Sequence, residues 1–520
     1  MSRSLVMVVV LLGYAVSPGQ TTPDARMTDY MVIDLQRIEM IHCILDTYVD
    51  SLWPGWNGYR DAKFRFVYPN KLEMLVGQED TPVGYLAAHD DRFPGLKVYV
   101  KTDGETSFPV RLPFVGGGVT DNPGFGGSLI LIEYPPQTLS ARWLQDWHKQ
   151  KKLPSSESFR LVHTSDGQIL TYIHELFHVF ENKFPGQLES YSLGNLSDVY
   201  AAYSEIEGIA LEQAFLEMNR ERSRRFVELF LAARDAKQRA MSAAARTAEA
   251  HWERREGLCT YVELGILQYL RRRNVCRPKW TNDPWYFEFR DADYFLELEL
   301  ETLRRCREET MDMVTKRYVY GYYQALLLDR FVPGWKKGVL ESASSLSDLL
   351  KTAIQYDSTS ATENEQRLEK TYNLLTLQQK HKRFIAEGQS AVKGMEARRG
   401  RKYVLDLSRM GHLDLVPRGS SYSYDERTKI YCPEGLERLE IHNLLFETSV
   451  TPVLVETTRS VQWIDDDKET NMSLTSEGKD GEGLYRNVVV TTKGFTLRAA
   501  RMRISTTERF IKLSVFPELK

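Results

Sequence analysis

Two histidines and a glutamate lie together in the pentad His174-Glu175-Leu176-Phe177-His178, which has the pattern HExxH. Side chains four residues apart lie on the same face of a helix, so both imidazoles can reach one metal ion. Neutral imidazole suits Zn²⁺, and two such ligands leave room for a third protein ligand and a water. The pentad therefore predicts a zinc site with His174 and His178 as ligands and Glu175 as the general base for that water.

The pentad needs a helix around it, and the flanking residues carry the signals for one. Thr164 can cap a helix N-terminus, as can Ser165 and Asp166, and Pro185 can end the segment. Between them, apolar residues recur at helical spacing and can pack into a core, namely Ile169, Ile173, Leu176, Phe177 and Phe180. A buried helix with two ordinary histidines would show the same stripe, but it would not require a glutamate between them.

A zinc site of this kind requires a third protein ligand, because two histidines alone bind the metal weakly. Two later helical segments place a glutamate directly before a glycine, at Glu207-Gly208 and at Glu256-Gly257. Glu207 lies nearer to His178 along the chain, whereas Glu256 opens a longer motif. Either glutamate could also be an ordinary carboxylate on a helix surface, since Glu is a common helix former.

The longer motif, residues 256–263, reads Glu-Gly-Leu-Cys-Thr-Tyr-Val-Glu and resembles the EGLAxYxE signature of gluzincin-like proteins, with Cys259 in place of alanine. Gluzincins take their third zinc ligand from a glutamate on a helix downstream of HExxH. Over residues 110–460 the chain resembles a group of exported bacterial gluzincin-like proteins in its order of motifs. That order is an HExxH helix, a Glu-containing helix, a charged arm, the EGLAxY helix and a Tyr-rich helix that leads to LLLDR and a Pro-Gly-Trp turn.

The resemblance implies a metallopeptidase-like zinc site, so we favour Glu256 as the third ligand and keep Glu207 as the alternative. In the favoured arrangement, Gly257 and the small Cys259 would let the ligand helix approach the HExxH helix closely. Glu207 would then lie near the site and could orient a histidine through its free ring nitrogen.

Peptide hydrolysis also needs a donor for the tetrahedral oxyanion and a place to hold the substrate. The Tyr-rich segment offers Tyr318, Tyr320, Tyr322 and Tyr323, although a structural tyrosine in a core is the more common case for any one of them. Upstream, the strand-like run at residues 129–134 is a candidate sheet edge that would pair with an extended peptide through main-chain hydrogen bonds. The expected partner is therefore a peptide or protein substrate.

The composition permits large cores and argues against nucleic acid as a partner. The chain has 520 residues, of which 42% are hydrophobic and 11% aromatic, so more than one domain can form a core. Lys and Arg (68) nearly balance Asp and Glu (71), and the net charge of −3 lacks the basic excess of nucleic-acid-binding surfaces. The five cysteines have no CxxC spacing, and the sequence leaves their pairing open.

The N-terminus has the pattern of a secretory signal. Arg3 provides a basic start, residues 5–16 are almost wholly apolar, and small residues and a turn follow at 17–19. The apolar run is shorter than the ~20 residues that span a bilayer as a helix. We therefore predict a signal peptide at residues 1–20 and a secreted or periplasmic mature protein without a stable membrane span.

The remaining patterns predict an α+β protein with a mainly helical, zincin-like catalytic region, an upstream mixed sheet and a small C-terminal β domain. A glycine-rich stretch at 116–127 is interpreted as a loop that leads into a strand. The charged stretch 232–255 favours a solvated helical arm. The predicted divisions are an N-terminal α/β part at 21–140, a helical zinc-binding region at 141–400, a connector at 401–436 and the β domain at 437–520.

The sequence thus predicts an exported zinc-dependent metallopeptidase of gluzincin type. His174, His178 and Glu256 would hold Zn²⁺, and Glu175 would take the proton of the attacking water. The alternative is a non-catalytic exported binding protein on the same scaffold, because motif residues can persist without turnover.

Overall fold

The computed structural model describes residues 29–516 with gaps, the longest of which cover residues 102–115, 134–163 and 185–196. The predicted signal peptide therefore lies outside the described residues. A mixed sheet comes first along the chain, then a helical region, then a second sheet, which confirms the predicted α+β class. None of the described helices is long and apolar enough to cross a membrane.

Six strands form the first sheet: β1 (Phe64–Val67), β2 (Glu73–Val76), β3 (Leu86–Ala88), β4 (Val98–Lys101), β5 (Gly116–Asn122) and β6 (Gly127–Glu133). Their order is β3-β4-β2-β1-β6-β5, and the sheet is mixed because β1 pairs with β6 in parallel. Along β1, Phe64 and Phe66 are buried while Arg65 is half-buried, as expected for a strand with one face in a core.

The structure corrects two predictions at this sheet. The glycine-rich stretch that was expected to be a loop contains the edge strand β5, which pairs antiparallel with β6 from Gly116 opposite Glu133 to Asn122 opposite Gly127. Glycine lacks the side chains that identify a strand in sequence, yet its backbone donors and acceptors complete the ladder. Consequently β6, expected at the edge, lies inside the sheet between β1 and β5.

The helical region contributes most of the core around the candidate site. The described α-helices are α1 (Asp29–Leu52), α2 (Ser165–Glu181), α3 (Asp198–Leu216), α4 (Arg220–Arg239), α5 (Ala243–Arg272), α6 (Ala292–Glu308), α7 (Met313–Phe331), α8 (Leu346–Ile354), α9 (Ala361–Tyr372) and α10 (Leu374–Ala397). Side-chain caps begin several of them; for example, Ser197 accepts a hydrogen bond from the Tyr200 N–H (3.1 Å) and Asn219 accepts one from the Arg222 N–H (3.0 Å).

The stretch 232–255, expected to be a solvated arm, contributes several buried side chains to the core and is exposed mainly around residues 239–247, so that prediction was wrong for most of its length. The buried residues of this stretch include both alanines and charged side chains, namely Ala232, Ala233, Arg234, Ala236, Lys237, Ala248, Glu249 and Glu253. Helix α4 packs extensively against α3, and the buried charges of α4 and α5 pair with one another. Burial therefore leaves few charges uncompensated, a fact that the charge pattern along the sequence does not reveal.

Helices α5 and α7 touch through two glycines. A Cβ on Gly257 would overlap the Cα of Gly321, and a Cβ on Gly321 would overlap the carbonyl oxygen of Glu253. The missing side chains therefore allow the two backbones to meet. Gly257 was expected to face the HExxH helix, but its contact is with α7, which brings the Tyr-rich helix beside Glu256.

One disulfide connects α1 to the segment that follows α5. It joins Cys43 to Cys276, whose Cα atoms are 5.8 Å apart although the residues are separated by 233 positions. Two further cysteines among the described residues, Cys259 and Cys306, are buried thiols.

The second sheet has twelve strands: β7 (Arg401–Asp406), β8 (Asp414–Pro417), β9 (Tyr422–Ser423), β10 (Lys429–Cys432), β11 (Leu436–Ile441), β12 (Leu444–Thr448), β13 (Val453–Glu456), β14 (Ser460–Asp465), β15 (Ser473–Thr475), β16 (Tyr485–Thr491), β17 (Phe495–Thr506) and β18 (Phe510–Phe516). Ten of them follow the order β8-β11-β12-β17-β18-β7-β14-β13-β10-β9, and β15 and β16 pair alongside β17. Because β7 to β10 belong to this sheet, the predicted connector at 401–436 is part of the β region.

Candidate metal centre

The HExxH pentad lies in α2, which begins as the sequence predicts. Thr164 caps the helix by accepting a hydrogen bond from the Gly167 N–H at 3.0 Å. The apolar side of α2 packs into an aromatic cluster, where Phe177 lies 4.9 Å from Trp53 and 5.1 Å from Trp56 between ring centroids. This packing fixes the rotation of the helix about its axis.

The two histidines and the glutamate of the pentad are buried but keep a small solvent-exposed fraction. His174 is 7% exposed, Glu175 8% and His178 5%. The imidazole rings of His174 and His178 have their centroids 4.9 Å apart, as expected for an i, i+4 pair. The structure therefore brings these three residues together at one place.

Glu256 of α5 faces both histidines. One of its oxygens, Oε2, lies 3.2 Å from His178 Nε2 and 3.5 Å from His174 Nε2. Ligand atoms bound tetrahedrally to one zinc at ordinary bond lengths lie about 3.3 Å from each other. Both distances therefore suit a shared metal ion.

The Nδ1 atom of each imidazole ring lies within hydrogen-bond distance of a further carboxylate, a different one for each ring. His174 Nδ1 lies 3.0 Å from Glu263 Oε2, and His178 Nδ1 lies 3.2 Å from Glu181 Oε2. Such a partner fixes the tautomer and orientation of a ligand histidine. In the sequence, Glu263 stands out only as the last residue of the motif at 256–263, and Glu181 belongs to no motif. The one signal for Glu181 is its place three residues after His178 on the same helical face.

Cys259 adds a thiol beside His178. Its Sγ lies 3.1 Å from His178 Nδ1 and 3.4 Å from Glu181 Oε2. His174, His178 and Cys259 each offer a donor atom within 4.8 Å of the others, so this buried cluster could hold a metal ion.

Two donor sets therefore include both histidines, one completed by Glu256 and one by Cys259. The carboxylate faces the Nε2 atoms of both rings, whereas the thiol approaches the nitrogen of His178 that Glu181 also contacts. Burial raises the pKa of the Cys259 thiol, which disfavours the thiolate that a metal requires. The geometry favours the set with Glu256.

Glu207, the alternative ligand, is not brought to the histidines. It belongs to a group that we call the ionic cluster, which consists of Glu207, Arg234, Lys237, Glu249 and Glu253. Its Oε1 accepts a hydrogen bond from Arg234 Nε at 2.6 Å, and its Oε2 accepts one from Lys237. The Nδ1 atoms of both histidines face Glu263 and Glu181, so Glu207 does not take the orienting position that was expected for it.

The surroundings of the histidines are strongly negative. Burial lowers the pKa of His174, but hydrogen bonds to Glu256 and Glu263 outweigh it and raise that pKa to about 10. Burial raises the pKa of Glu256, yet hydrogen bonds from the two histidines outweigh it and hold the pKa well below its usual range. An environment that favours positive charge in this way also favours a bound cation.

Glu175 differs from the other carboxylates of the site. Burial raises its pKa, an effect that the neighbouring His174 and His178 oppose. It makes no hydrogen bond to another described side chain, so its carboxylate is free to meet a water or a substrate.

Of the four predicted tyrosines, Tyr318 is the one at the site. Its ring stacks on that of His174 at a centroid distance of 5.9 Å, and burial together with the Glu256 carboxylate raises its pKa. Tyr320 donates instead to the carbonyl oxygen of Ser204 at 2.7 Å, and Tyr322 and Tyr323 are buried in the core.

The arrangement combines two imidazoles, a bridging carboxylate, a free carboxylate and a phenol. Comparisons of the chain with models of protein families, with curated proteins and with solved structures give no match. The function must therefore be argued from this chemistry.

Proposed function

We propose that the protein is an exported zinc-dependent metallopeptidase of gluzincin type. The observation that carries the proposal is the approach of His174 Nε2 and His178 Nε2 to one oxygen of Glu256, with a further carboxylate behind each ring. Two nitrogens and one oxygen in this arrangement are a donor set that suits Zn²⁺ and leaves a position for water. His174, His178 and Glu256 would be the ligands.

Glu175 is the proposed catalytic base. When bound at this site, Zn²⁺ would lower the pKa of a coordinated water and polarise the carbonyl of a peptide bond. The raised pKa of Glu175 moves it towards the range in which a carboxylate accepts a proton and then releases it. Glu175 would take the proton of the attacking water and pass it to the leaving amine.

Tyr318 is the proposed oxyanion donor. Tetrahedral intermediates of acyl transfer develop negative charge on the former carbonyl oxygen, and a donor aimed at that oxygen stabilises it. The stacking of Tyr318 on His174 places a phenol beside the ligand group, and burial keeps this phenol protonated. Tyr318 would donate its O–H to the oxyanion.

The edge strand β5 offers a way to hold an extended peptide. It lies at the end of the first sheet and packs against α2. An edge strand presents unpaired N–H and C=O groups, which a peptide in extended conformation can complete. We assign this role to β5 in place of β6.

Export is part of the proposal. The apolar run near the N-terminus has the pattern of a secretory signal, and the Cys43–Cys276 disulfide is of the kind that persists in oxidising compartments. The protein would therefore act outside the cytoplasm.

The test is cleavage of a general peptide library by the purified, metal-loaded protein, with metal content measured in parallel. We expect chelator-sensitive cleavage that falls about a hundredfold or more in Glu175→Gln, the scale typical of losing a general base. The exposed Glu221→Gln variant is the matched control and should cleave like the wild type.

The same experiment can contradict the proposal in two ways. A zinc-replete protein that cleaves no peptide would point to the non-catalytic binding protein. Full cleavage by Glu175→Gln would remove Glu175 from the catalytic role.

A further inference from the structure

The backbones of α5 and α7 meet at Gly257 and Gly321. A Cβ atom on Gly321 would lie 2.7 Å from the Gly257 Cα atom, and one on Gly257 would lie 2.9 Å from the Tyr322 nitrogen. Atoms that are not bonded make their best contact at about 3.5–4.0 Å, so neither position has room for a side chain. The neighbours are backbone atoms, which cannot turn aside as the end of a flexible side chain can. The separation of the two helices therefore depends on these glycines.

This contact lies between two residues of the candidate metal centre. Glu256, the proposed third ligand, directly precedes Gly257 on α5. Tyr318, the proposed oxyanion donor, lies one turn before Gly321 on α7. The Tyr318 ring stacks on that of His174 at 5.9 Å, and the nearby Glu256 carboxylate helps to raise the pKa of the Tyr318 hydroxyl. A change in the helix separation would therefore move the phenol relative to the metal ligands.

Two hydrogen bonds fix the position of α7 along α5. The amide nitrogen of Gln324 donates to Glu253 Oε2 at 2.8 Å, and the hydroxyl of Tyr261 donates to Asp329 Oδ2 at 2.7 Å. On α5, Glu253 and Tyr261 lie one turn before and one turn after Gly257. Helix α7 is thus held against sliding along α5, and the glycine contact sets how closely the two helices approach.

A small displacement at this contact has a large expected effect. An oxyanion donor acts over a hydrogen bond of about 2.7–3.1 Å, so its position must be held closely. A misplacement of about 1 Å, caused by a substitution away from the reacting atoms, can cost about a hundredfold in rate. Alanine at either glycine would require a shift on this scale, because the backbone atoms that it meets would have to move out to ordinary contact distance.

We propose that Gly257 and Gly321 are positioning residues of the metal centre, which hold the Tyr318 hydroxyl at the distance from the ligands at which it can reach the oxyanion. The proposal rests on the peptidase function proposed above, since that function gives Tyr318 an oxyanion to stabilise. Neither glycine contacts the substrate. Their role is to leave out a side chain where the two helices meet.

The test is the peptidase activity of Gly321→Ala, measured on zinc-loaded protein. Gly321 is the better glycine to change, because its helix carries none of the proposed ligands, so zinc should stay at the wild-type ratio. We expect kcat to fall about ten- to a hundredfold with KM little changed, because the interaction lost is made in the transition state. A raised KM with an unchanged kcat would place Gly321 in substrate binding and contradict the proposal.

A double-mutant cycle with Tyr318→Phe separates positioning from a general loss of structure. Tyr318→Phe alone should lower kcat about a hundredfold or more, the scale typical of losing one oxyanion donor. Because Gly321→Ala acts by displacing the phenol, the double variant should be about as active as Tyr318→Phe alone. Losses that multiply would show that Gly321 does not act through Tyr318.

Gly265→Ala is the matched control, since Gly265 is a glycine of α5 with room for a side chain. A Cβ atom there meets Leu52 Cδ2 at 3.5 Å, which is an ordinary contact. This variant should keep the wild-type kcat and zinc content. A loss equal to that of Gly321→Ala would show that any alanine in place of a helical glycine has the same effect.

Tyr261→Phe is a milder change at the contact of α5 with α7, for use where Gly321→Ala does not fold. It removes only the hydroxyl that donates to Asp329 and keeps the ring. It should lower kcat less than Gly321→Ala does, and it should have no effect in the Tyr318→Phe background. An unchanged kcat in Tyr261→Phe would show that the approach of the two helices does not limit the reaction.

A readout without turnover covers a protein that cleaves no peptide, a result that would refute the proposed function. An aromatic ring shifts the NMR signals of nuclei stacked on it, so the His174 ring signals report its distance from Tyr318. In protein with labelled histidines, Gly321→Ala should shift these signals in the same direction as Tyr318→Leu, which removes the ring. Gly265→Ala should leave them in place. His174 signals that stay unchanged in Gly321→Ala would overturn the positioning role, whether or not the protein is a peptidase.

Discussion

Two buried groups of carboxylates lie along the same helix and differ in how their charge is compensated. The ionic cluster uses Glu249 and Glu253 of α5, and the metal centre uses Glu256 and Glu263 of the same helix. In the ionic cluster, an arginine and a lysine face the carboxylates. In the metal centre, the partners are the two imidazoles, which are neutral when they bind a metal.

In the ionic cluster, side chains of the protein itself neutralise the buried carboxylates. Arg234 donates to Glu253 at 2.7 and 2.9 Å and to Glu207 at 2.6 Å, and Lys237 donates to Glu249 at 3.0 Å. All five side chains are buried. Among the described residues no arginine or lysine pairs with the carboxylates of the candidate metal centre, and this difference supports the proposal that they are arranged for a cation from outside the chain.

The largest effect expected from this comparison is loss of the metal in Glu256→Ala. Removing a ligand that faces both histidines should abolish stoichiometric zinc after dialysis, while the fold remains. Metal analysis measures the zinc, and circular dichroism checks the fold.

Glu207→Ala is the matched variant, because Glu207 was the alternative ligand and lies in the ionic cluster. Its folded fraction should keep zinc at the wild-type ratio. Full occupancy in Glu256→Ala together with an empty site in Glu207→Ala would reverse the assignment.

The next effect is on stability and belongs to the ionic cluster. Glu207→Ala should lower the free energy of unfolding by about 3–5 kcal/mol, because Arg234 and Lys237 would then be buried with too little negative charge. Chemical denaturation measures this change.

An exposed pair supplies the comparison for stability. Glu365 accepts a hydrogen bond from Arg239 at 2.6 Å, but both side chains are 48% exposed. Glu365→Ala should cost less than about 1 kcal/mol. If both variants lost similar stability, burial would not be what distinguishes the ionic cluster.

Local patterns in the sequence were enough to place the pentad on a helix. The cap at Thr164 and the apolar spacing of Ile173 and Phe177 depend on residues near each other in the chain, and α2 begins where they indicate. The α+β class followed from similar local signals. Glu256 was favoured over Glu207 by the motif it opens and not by periodicity, which treats both as carboxylates on helices.

Local sequence patterns do not predict contacts between segments that are far apart in the chain. Arg234 and Glu253 look like solvated charges along the chain, and only the packing of α3, α4 and α5 shows that they meet Glu207 in the core. The pairing of Cys43 with Cys276 and the strand at Gly116 depend likewise on partners that local sequence does not specify.

The smallest expected effect concerns Glu263 and Glu181, the carboxylates at the Nδ1 atoms of the two histidines. It tests whether these carboxylates strengthen metal binding by orienting the ligand histidines. Glu263→Gln should weaken zinc binding about 10–100-fold, because a neutral amide would replace the charged carboxylate that accepts from His174 Nδ1. Glu181→Gln should cost less, since the Cys259 sulfur also lies 3.1 Å from His178 Nδ1 and can serve in its place. Titration against a competing chelator measures both affinities.

Combining Glu181→Gln with Cys259→Ala should then bring the loss of zinc affinity to the level of Glu263→Gln. A loss in Glu181→Gln as large as that in Glu263→Gln would show that the thiol does not support His178.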